Sequence, residues 1–251
     1  MKIALVQLDA SNDDAWSIDS MEDLLSLSSG ADLVVFPEGM PFYQTGKNTV
    51  SNEVAIEKLC SVKSVGKPFI AGGYVRYGEH IRNVAYLIYK GTMLASYFKR
   101  TKWRGEHFEP GNESEVVKFS WETKACIPLI CADAGDNPSP TGTRRMYQAL
   151  ELGADTNTPI VIPSFGAGLM TSYWKVPLTA WARGCGAPVA ICGVSGKSNN
   201  TYFEDGESKH YGGGGSAVFL PDGTISEQSA KRGIYIVDLK KGTTERRKIE
   251  L

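Results

Sequence analysis

Ala125-Cys126-Ile127-Pro128-Leu129-Ile130-Cys131-Ala132-Asp133-Ala134-Gly135-Asp136 reads as a buried strand that ends abruptly in a thiol, a small residue and a carboxylate. Ile127, Leu129 and Ile130 form a short apolar run bounded by turn residues, which fits a strand covered on both faces. Gly135, Asp136, Asn137, Pro138, Ser139 and Pro140 then break regular structure. A cysteine at the carboxyl end of such a strand stands where α/β proteins place reactive groups. The same thiol also fits an inert small hydrophobe, the reading given to Cys126. The remainder of the chain has to decide between the two for Cys131.

On the N-terminal side, residues 2–8 (KIALVQL) and 31–36 (ADLVVF) are β-rich apolar runs, each a predicted buried strand. Between them Trp16, Ile18, Met21, Leu24, Leu25 and Leu27 follow helical spacing, with Asn12, Asp13 and Asp14 as capping candidates and Gly30 as the stop. Pro37 ends the second strand and Glu38 follows at once. This carboxylate is either a solvated loop residue or a partly desolvated base with raised proton affinity. Residues 51–65 predict a helix with Val54, Ile56, Leu59, Val62 and Val65 on its apolar side. Residues 68–77, 83–89 and 93–98 predict three successive strands, so the sheet is mixed and not a pure βαβ array. Lys99 follows the aromatic end of the third. There it can hold a proton, orient a nucleophile or stabilise an oxyanion, whereas Arg100, Lys102 and Arg104 fit a solvated loop.

On the C-terminal side, residues 143–153 predict a helix with Met146, Ala149, Leu150 and Leu152 on one side, and 160–162 a short strand ending in Pro163-Ser164. Residues 172–185 are helical in pattern, although Pro177 delays or kinks the start. Strands are predicted at 187–194, 216–220 and 233–239. Gly212 to Gly215 lack the Lys-Ser/Thr ending of a phosphate loop. Residues 240–251 are charged and read as a surface tail or a partner-contacting arm. With no internal repeat and no linker, one α/β domain is expected over residues 1–251.

The 251 residues are 42% apolar and 22% charged, an ordinary globular balance, and the formal net charge of −1 gives no reason to expect nucleic acid or an acidic membrane as a partner. No apolar run approaches the ~20 residues of a membrane helix. The first strand starts almost at Met1, so no signal peptide is expected and the cytoplasm is the expected location. Five cysteines without framework spacing are expected to be reduced. With three histidines and no Cys-x-x-Cys pair, no metal site is expected.

Three predicted strand ends therefore carry chemistry: Glu38 after VVFP, Lys99 after ASYF and Cys131 after IPLI. The pattern resembles the nitrilase superfamily of carbon–nitrogen hydrolases. The matching residues are Phe36-Pro37-Glu38-Gly39, Tyr97-Phe98-Lys99 followed by Glu106 and Pro110-Gly111, and Ile130-Cys131-Ala132-Asp133. Arg144/Arg145, residues 149–155, Pro163-Ser164, Trp181-Ala182-Arg183, Gly215-Ser216-Ala217 and Pro221-Asp222-Gly223 extend the likeness to about Leu239. The resemblance implies a four-layer α-β-β-α sandwich, a Glu38-Lys99-Cys131 triad with Glu106 beside the lysine, the Ala132 backbone N–H as oxyanion donor, and hydrolysis of a linear amide or N-carbamoyl C–N bond without a cofactor. It also implies a homodimer or larger homo-oligomer, paired through helices near the nucleophile.

The sequence departs from that pattern in three places around the pocket. Thr101-Lys102 stand where His-Leu is usual, residues 136–140 replace Phe-Pro-Glu, and Arg183-Gly184-Cys185-Gly186 lacks Glu-Asn. Ala132-Asp133 after the nucleophile, in place of Trp-Glu, points to an amide and not a nitrile. Tyr43, His107, Arg144, Arg145, Ser164 and Tyr173 are the expected substrate-binding residues. Together with Arg104 they give a cationic pocket mouth that suits a carboxylate-bearing substrate, unless the arginines face solvent or pair with Glu151 and Asp155. Two other readings compete. One is an isochorismatase-like cysteine hydrolase, whose acid would have to be Asp9. The other is a nitrilase-fold protein that binds without catalysis.

Overall fold

The computed structural model describes residues 1–9, 16–43, 49–64, 66–102, 106–111, 116–134, 140–165, 172–195, 215–226 and 231–250. Among them are thirteen strands and four α-helices: β1 (Lys2–Gln7), α1 (Ile18–Leu27), β2 (Leu33–Val35), β3 (Pro41–Phe42), α2 (Asn52–Ser61), β4 (Phe69–Tyr77), β5 (His80–Tyr89), β6 (Thr92–Phe98), β7 (Phe119–Trp121), β8 (Lys124–Pro128), α3 (Pro140–Glu151), β9 (Ile160–Pro163), α4 (Ser172–Cys185), β10 (Val189–Cys192), β11 (Ala217–Phe219), β12 (Gly233–Asp238) and β13 (Thr244–Arg247). They build an eight-stranded sheet in the order β13-β12-β1-β2-β4-β5-β6, with β3 beside β4, and a five-stranded sheet in the order β11-β10-β9-β8-β7.

Parallel neighbours need a crossover, and here each crossover is a helix. α1 joins β1 to β2 and α2 joins β2 to β4; α3 joins β8 to β9 and α4 joins β9 to β10. Two apolar clusters form the core. Ala4, Val6 and Val34 pack with Met21, Leu24 and Leu25 of α1 and with Ala55 and Leu59 of α2. Ile3, Leu5, Leu33 and Val35, on the opposite face of the same strands, belong to a second cluster that takes in residues of the second sheet, Met146 of α3 and Leu178 of α4. The chain is an α/β structure of mixed sheets and helices, as expected. The Cys192 thiol ties the two sheets together, 3.3 Å from the carbonyl oxygen of Val6 and 3.2 Å from that of Val35.

Strand direction assembles the site. β2 and β4 are parallel, β5 reverses, and β6 reverses again, so the residues after β2 and after β6 emerge at the same end of the first sheet. A parallel bridge between Asp9 and Ser195, just beyond β1 and β10, aligns the second sheet with the first, which brings the ends of β8 and β9 to that same edge.

Several local expectations change. The cap of α1 is Ser17, whose hydroxyl accepts from Ser20 N; Asn12 to Asp14 lie outside the described residues. α2 buries Ala55 and Leu59, with Val62 buried just past its end and Ile56 packed against the core as expected, while Val54 is exposed because the buried stripe runs through Ala55 and Leu59. Leu150 of α3 is likewise exposed, with Met146 and Ala149 inside. Pro177 lies within α4. The charged tail contributes β13, an edge strand antiparallel to β12, and Ile249 beyond it is buried. β3 and β7, two or three residues each, were not expected. Gly212 to Gly214 lie outside the described residues.

Candidate active site

The backbone past β2 turns at Pro37 and folds back so that β3 lies beside β4, pairing Pro41 with Gly72 and Phe42 with Gly73. This return fixes Glu38, and it needs glycine. Gly73 has φ 135°, and a Cβ there would stand 2.3 Å from the Phe42 carbonyl oxygen. Glu38 is 5% exposed and every acceptor contact is polar. Its Oε1 accepts from Lys99 Nζ at 2.7 Å and Asn83 Nδ2 at 2.8 Å, and its Oε2 accepts from the Phe165 backbone N–H at 3.0 Å.

Lys99 is the first residue after β6 and is fully buried, its Nζ also donating to Glu106 Oε1 at 2.6 Å. Tyr74 donates its hydroxyl to the same Glu106 oxygen at 3.1 Å. Burial alone would lower the lysine's affinity for its proton, but the Glu38 and Glu106 carboxylates outweigh it and hold Lys99 above its ordinary value. The ammonium is therefore a fixed positive charge and not a proton acceptor at neutral pH.

Cys131 does not end a strand. β8 stops at Pro128, and Cys131 opens a single 3-10 turn, Cys131–Ala134, with φ 44° at the cysteine itself. A non-glycine residue in that left-handed region stores about 1–3 kcal/mol of strain, held only because its surroundings over-determine it. Asp133 supplies much of that hold. It is wholly buried and accepts from Tyr97 Oη at 2.8 Å, from the Arg100 N–H at 3.1 Å and from the Thr101 N–H at 2.7 Å, which ties the cysteine turn to the chain just after Lys99. Burial, and next the Asp133 charge, raise Tyr97 well above the usual phenol value, so it stays a donor.

Ser164, one residue past β9, is buried and donates its hydroxyl to Cys131 Sγ at 3.4 Å. Burial pushes the Cys131 thiol up to about 12, helped by the Glu38 and Glu106 charges and opposed by Lys99 and the Ser164 hydrogen bond. Two carboxylates and one ammonium leave one excess negative charge beside the sulfur, so the resting form is the neutral thiol.

The structure thus brings Glu38, Lys99, Glu106, Cys131 and Ser164 together, with Ala132 in the turn that carries the sulfur. Tyr43 stands nearby: its ring meets Trp16 at 5.8 Å, and Trp16 meets Phe165 at 5.6 Å. Arg145, expected at the pocket mouth, faces Asp133. Its Nε lies 3.7 Å from Asp133 and its Nη2 donates to Thr101 Oγ1 at 3.2 Å, behind the cysteine turn. His107 is exposed. Arg104 lies outside the described residues, as do the side chains of Arg144 and Tyr173. Asn83, Tyr74 and the Phe165 N–H escaped the sequence reading, and Asp133 carried no role in it beyond its place in the motif after Cys131. Asn83 and Tyr74 sit inside apolar strands, where a lone polar residue facing the buried side was the one available signal.

Among the described residues no three His, Cys, Asp or Glu side chains converge to hold a metal ion, and no helix is long and apolar enough to cross a membrane.

No protein-family model matches the sequence, and no curated protein matches it. Solved structures do. An amidase from Nesterenkonia sp. matches at TM-score 0.75 with 24% identity, covering 96% of this chain and 92% of that one. A variant of the Nesterenkonia AN1 amidase, described as belonging to the nitrilase superfamily, matches at TM-score 0.74 with 23% identity over 96% and 91% of the two chains. Another variant, with acrylamide added at its active-site cysteine, matches at TM-score 0.75 with 24% identity over 96% of each. The chain has the fold of nitrilase-superfamily amidases. The isochorismatase-like alternative required Asp9 as the acid, but the carboxylates on Lys99 are Glu38 and Glu106.

Proposed function

We propose that this protein is a carbon–nitrogen hydrolase that cleaves linear amides or N-carbamoyl groups of small molecules through a thioester on Cys131. The observation that carries the reading is the buried Glu38–Lys99–Glu106 ion cluster beside a thiol held in a strained turn. An ionic cluster of this kind is expensive to bury, and its retention next to a nucleophile argues for use in chemistry.

Charge conservation makes Glu38 the base. If the thiol lost its proton to solvent, the cluster would carry two excess negative charges; if Glu38 takes it, the excess stays at one. Cys131 Sγ then attacks the amide carbon, forming the S–C bond as the carbonyl oxygen becomes an oxyanion near the Ala132 N–H and the Lys99 ammonium. Glu38 returns the proton to the nitrogen as the C–N bond breaks, releasing ammonia or an amine. Water next attacks the thioester, Glu38 takes its proton, the S–C bond breaks and the proton returns to sulfur. Glu106 keeps Lys99 oriented and protonated through both halves. Such a base is worth about 10²–10⁴ in rate.

The structural neighbours include an amidase complex with butyramide and a variant carrying the acetamide moiety of fluoroacetamide on its active-site cysteine. The same probes test this chain. Incubation with fluoroacetamide is expected to add one acetamide moiety per chain at Cys131, and butyramide to release ammonia. No ammonia from any amide or carbamoyl compound, with Cys131 unmodified, would overturn the reading in favour of a binding protein. Pairing of two copies through α3 and α4 belongs to the same reading. Tyr147 and Val176, on those helices, are 64% and 65% exposed, and light scattering is expected to give at least a dimer mass.

A further inference from the structure

Beside the ion cluster lies an open cleft of about 520 Å³, within the size range of small-ligand pockets, walled by Trp16, Phe42, Tyr43 and Tyr74, with Asp19 and Lys58 on its lining. Two contacts join it to the reacting groups. Tyr74 lines the cleft and donates its hydroxyl to Glu106, and Trp16 packs on Phe165, whose backbone N–H holds Glu38. The walls are firm: Trp16, Phe42 and Tyr74 are each under a tenth exposed, and the Trp16 Nε1–H is fixed on the Asp9 carbonyl oxygen at 3.0 Å. Among the described lining residues there is no arginine, one lysine, Lys58, and one aspartate, Asp19.

From this lining we infer that the substrate carries a flat apolar group, an aryl or arylalkyl substituent, which lies in this cleft while its amide meets Cys131. The inference rests on the amidase reading and deepens it. Rigid aromatic walls favour a planar group through edge and face contacts. Of the arginines the sequence offered for a substrate carboxylate, Arg145 lies 3.7 Å from Asp133 and is not among the described lining residues.

The test compares 3-phenylpropionamide and N-benzylacetamide, which place the ring on the acyl and the amine side respectively, with butyramide and succinamate. At least one aryl amide is expected to exceed butyramide tenfold or more in kcat/KM, with succinamate below butyramide. In Tyr43→Ala the ratio of aryl amide to butyramide is expected to fall severalfold. Butyramide turnover with no aryl preference, or a ratio unmoved in both Tyr43→Ala and Trp16→Phe, overturns this inference and leaves the amidase reading standing. If no amide is hydrolysed, the amidase reading fails. Calorimetric titration of the unmodified protein with the two aryl amides then decides the cleft by itself: binding tighter than butyramide sustains it, and equal or weaker binding rejects it.

Discussion

β8 carries one buried cysteine, Cys126, and another, Cys131, follows three residues past its end; the two differ in everything except burial. Cys126 pairs opposite Phe119 in the apolar cluster between the sheets, and burial alone drives its thiol far above the ordinary range. Cys131, past the end of the strand, meets the same burial, but an ammonium and a hydroxyl oppose it, and a carboxylate able to take the proton lies in the same cluster. Burial makes a thiol inert; a nearby fixed cation and an acceptor make it conditionally reactive. The strained turn adds a geometric difference, since Cys126 lies in extended strand and Cys131 at φ 44°.

The sharpest way to break this contrast is to remove each sulfur. Cys131→Ala is expected to lose at least ~10⁴ in amide turnover, since nothing replaces the covalent step, and to keep its thermal transition. Cys126→Ala is expected to keep turnover and to lose about 1 kcal/mol of stability from the vacated core volume. Steady-state ammonia release and urea unfolding measure both. Substantial turnover in Cys131→Ala would remove the contrast.

Removing the cation should make Cys131 resemble Cys126. Lys99→Met leaves two buried carboxylates without a counter-charge, so about 3–5 kcal/mol of stability should go with the acylation rate. Glu38→Gln keeps the shape and is expected to lower acylation by about 10²–10⁴ with a smaller stability change. Stopped-flow acylation by an activated ester reads the rates; an unchanged rate in both variants would remove their assigned roles.

Loosening the turn should have an intermediate effect. Asp133→Asn turns an acceptor of the Arg100 and Thr101 N–H groups partly into a donor facing donors, and shifts Cys131 relative to Lys99. A displacement of about 1 Å is worth up to about 10²-fold. We expect kcat to fall by about tenfold or more with KM little changed; a change confined to KM would place Asp133 in binding and not in positioning.

The smallest effect concerns pH. Cys131 in the folded chain titrates near 12, above the roughly 8.5 of an unfolded thiol. Its contribution to stability is therefore complete below about pH 8.5 and is lost as pH rises toward 12, amounting to about 2 kcal/mol between pH 8.5 and 10. Urea unfolding at the two pH values should show that much less loss in Cys131→Ala than in the parent. Iodoacetamide labelling of Cys131 in the resting protein should keep rising past pH 9, without a plateau there.

Hydrophobic patterning and turn chemistry made most elements legible. The runs VVF and IPLI marked buried segments and ASYF a partly buried strand, and the acid, lysine or thiol following each marked a position for chemistry. These signals are local, and so are the forces behind them. Whether those positions coincide depends on strand direction, and no local pattern records that β5 reverses between β4 and β6 or that Asp9 and Ser195 align the two sheets. The helix stripes of α2 and α3 were misjudged at Val54 and Leu150 for the same reason: a helix face is chosen by what it packs against. The identity of the three charged or nucleophilic residues was thus set by sequence. Glu106 beside Lys99 is already implied by the resemblance, whereas tertiary structure alone decided that Asp133 ties the cysteine turn to the chain after Lys99, that Ser164 bonds the sulfur and that Arg145 faces that turn. The Asp133–Arg100 and Ser164–Cys131 contacts each span 33 residues, and burial gives each polar group so few partners that geometry, not composition, selects which one it meets.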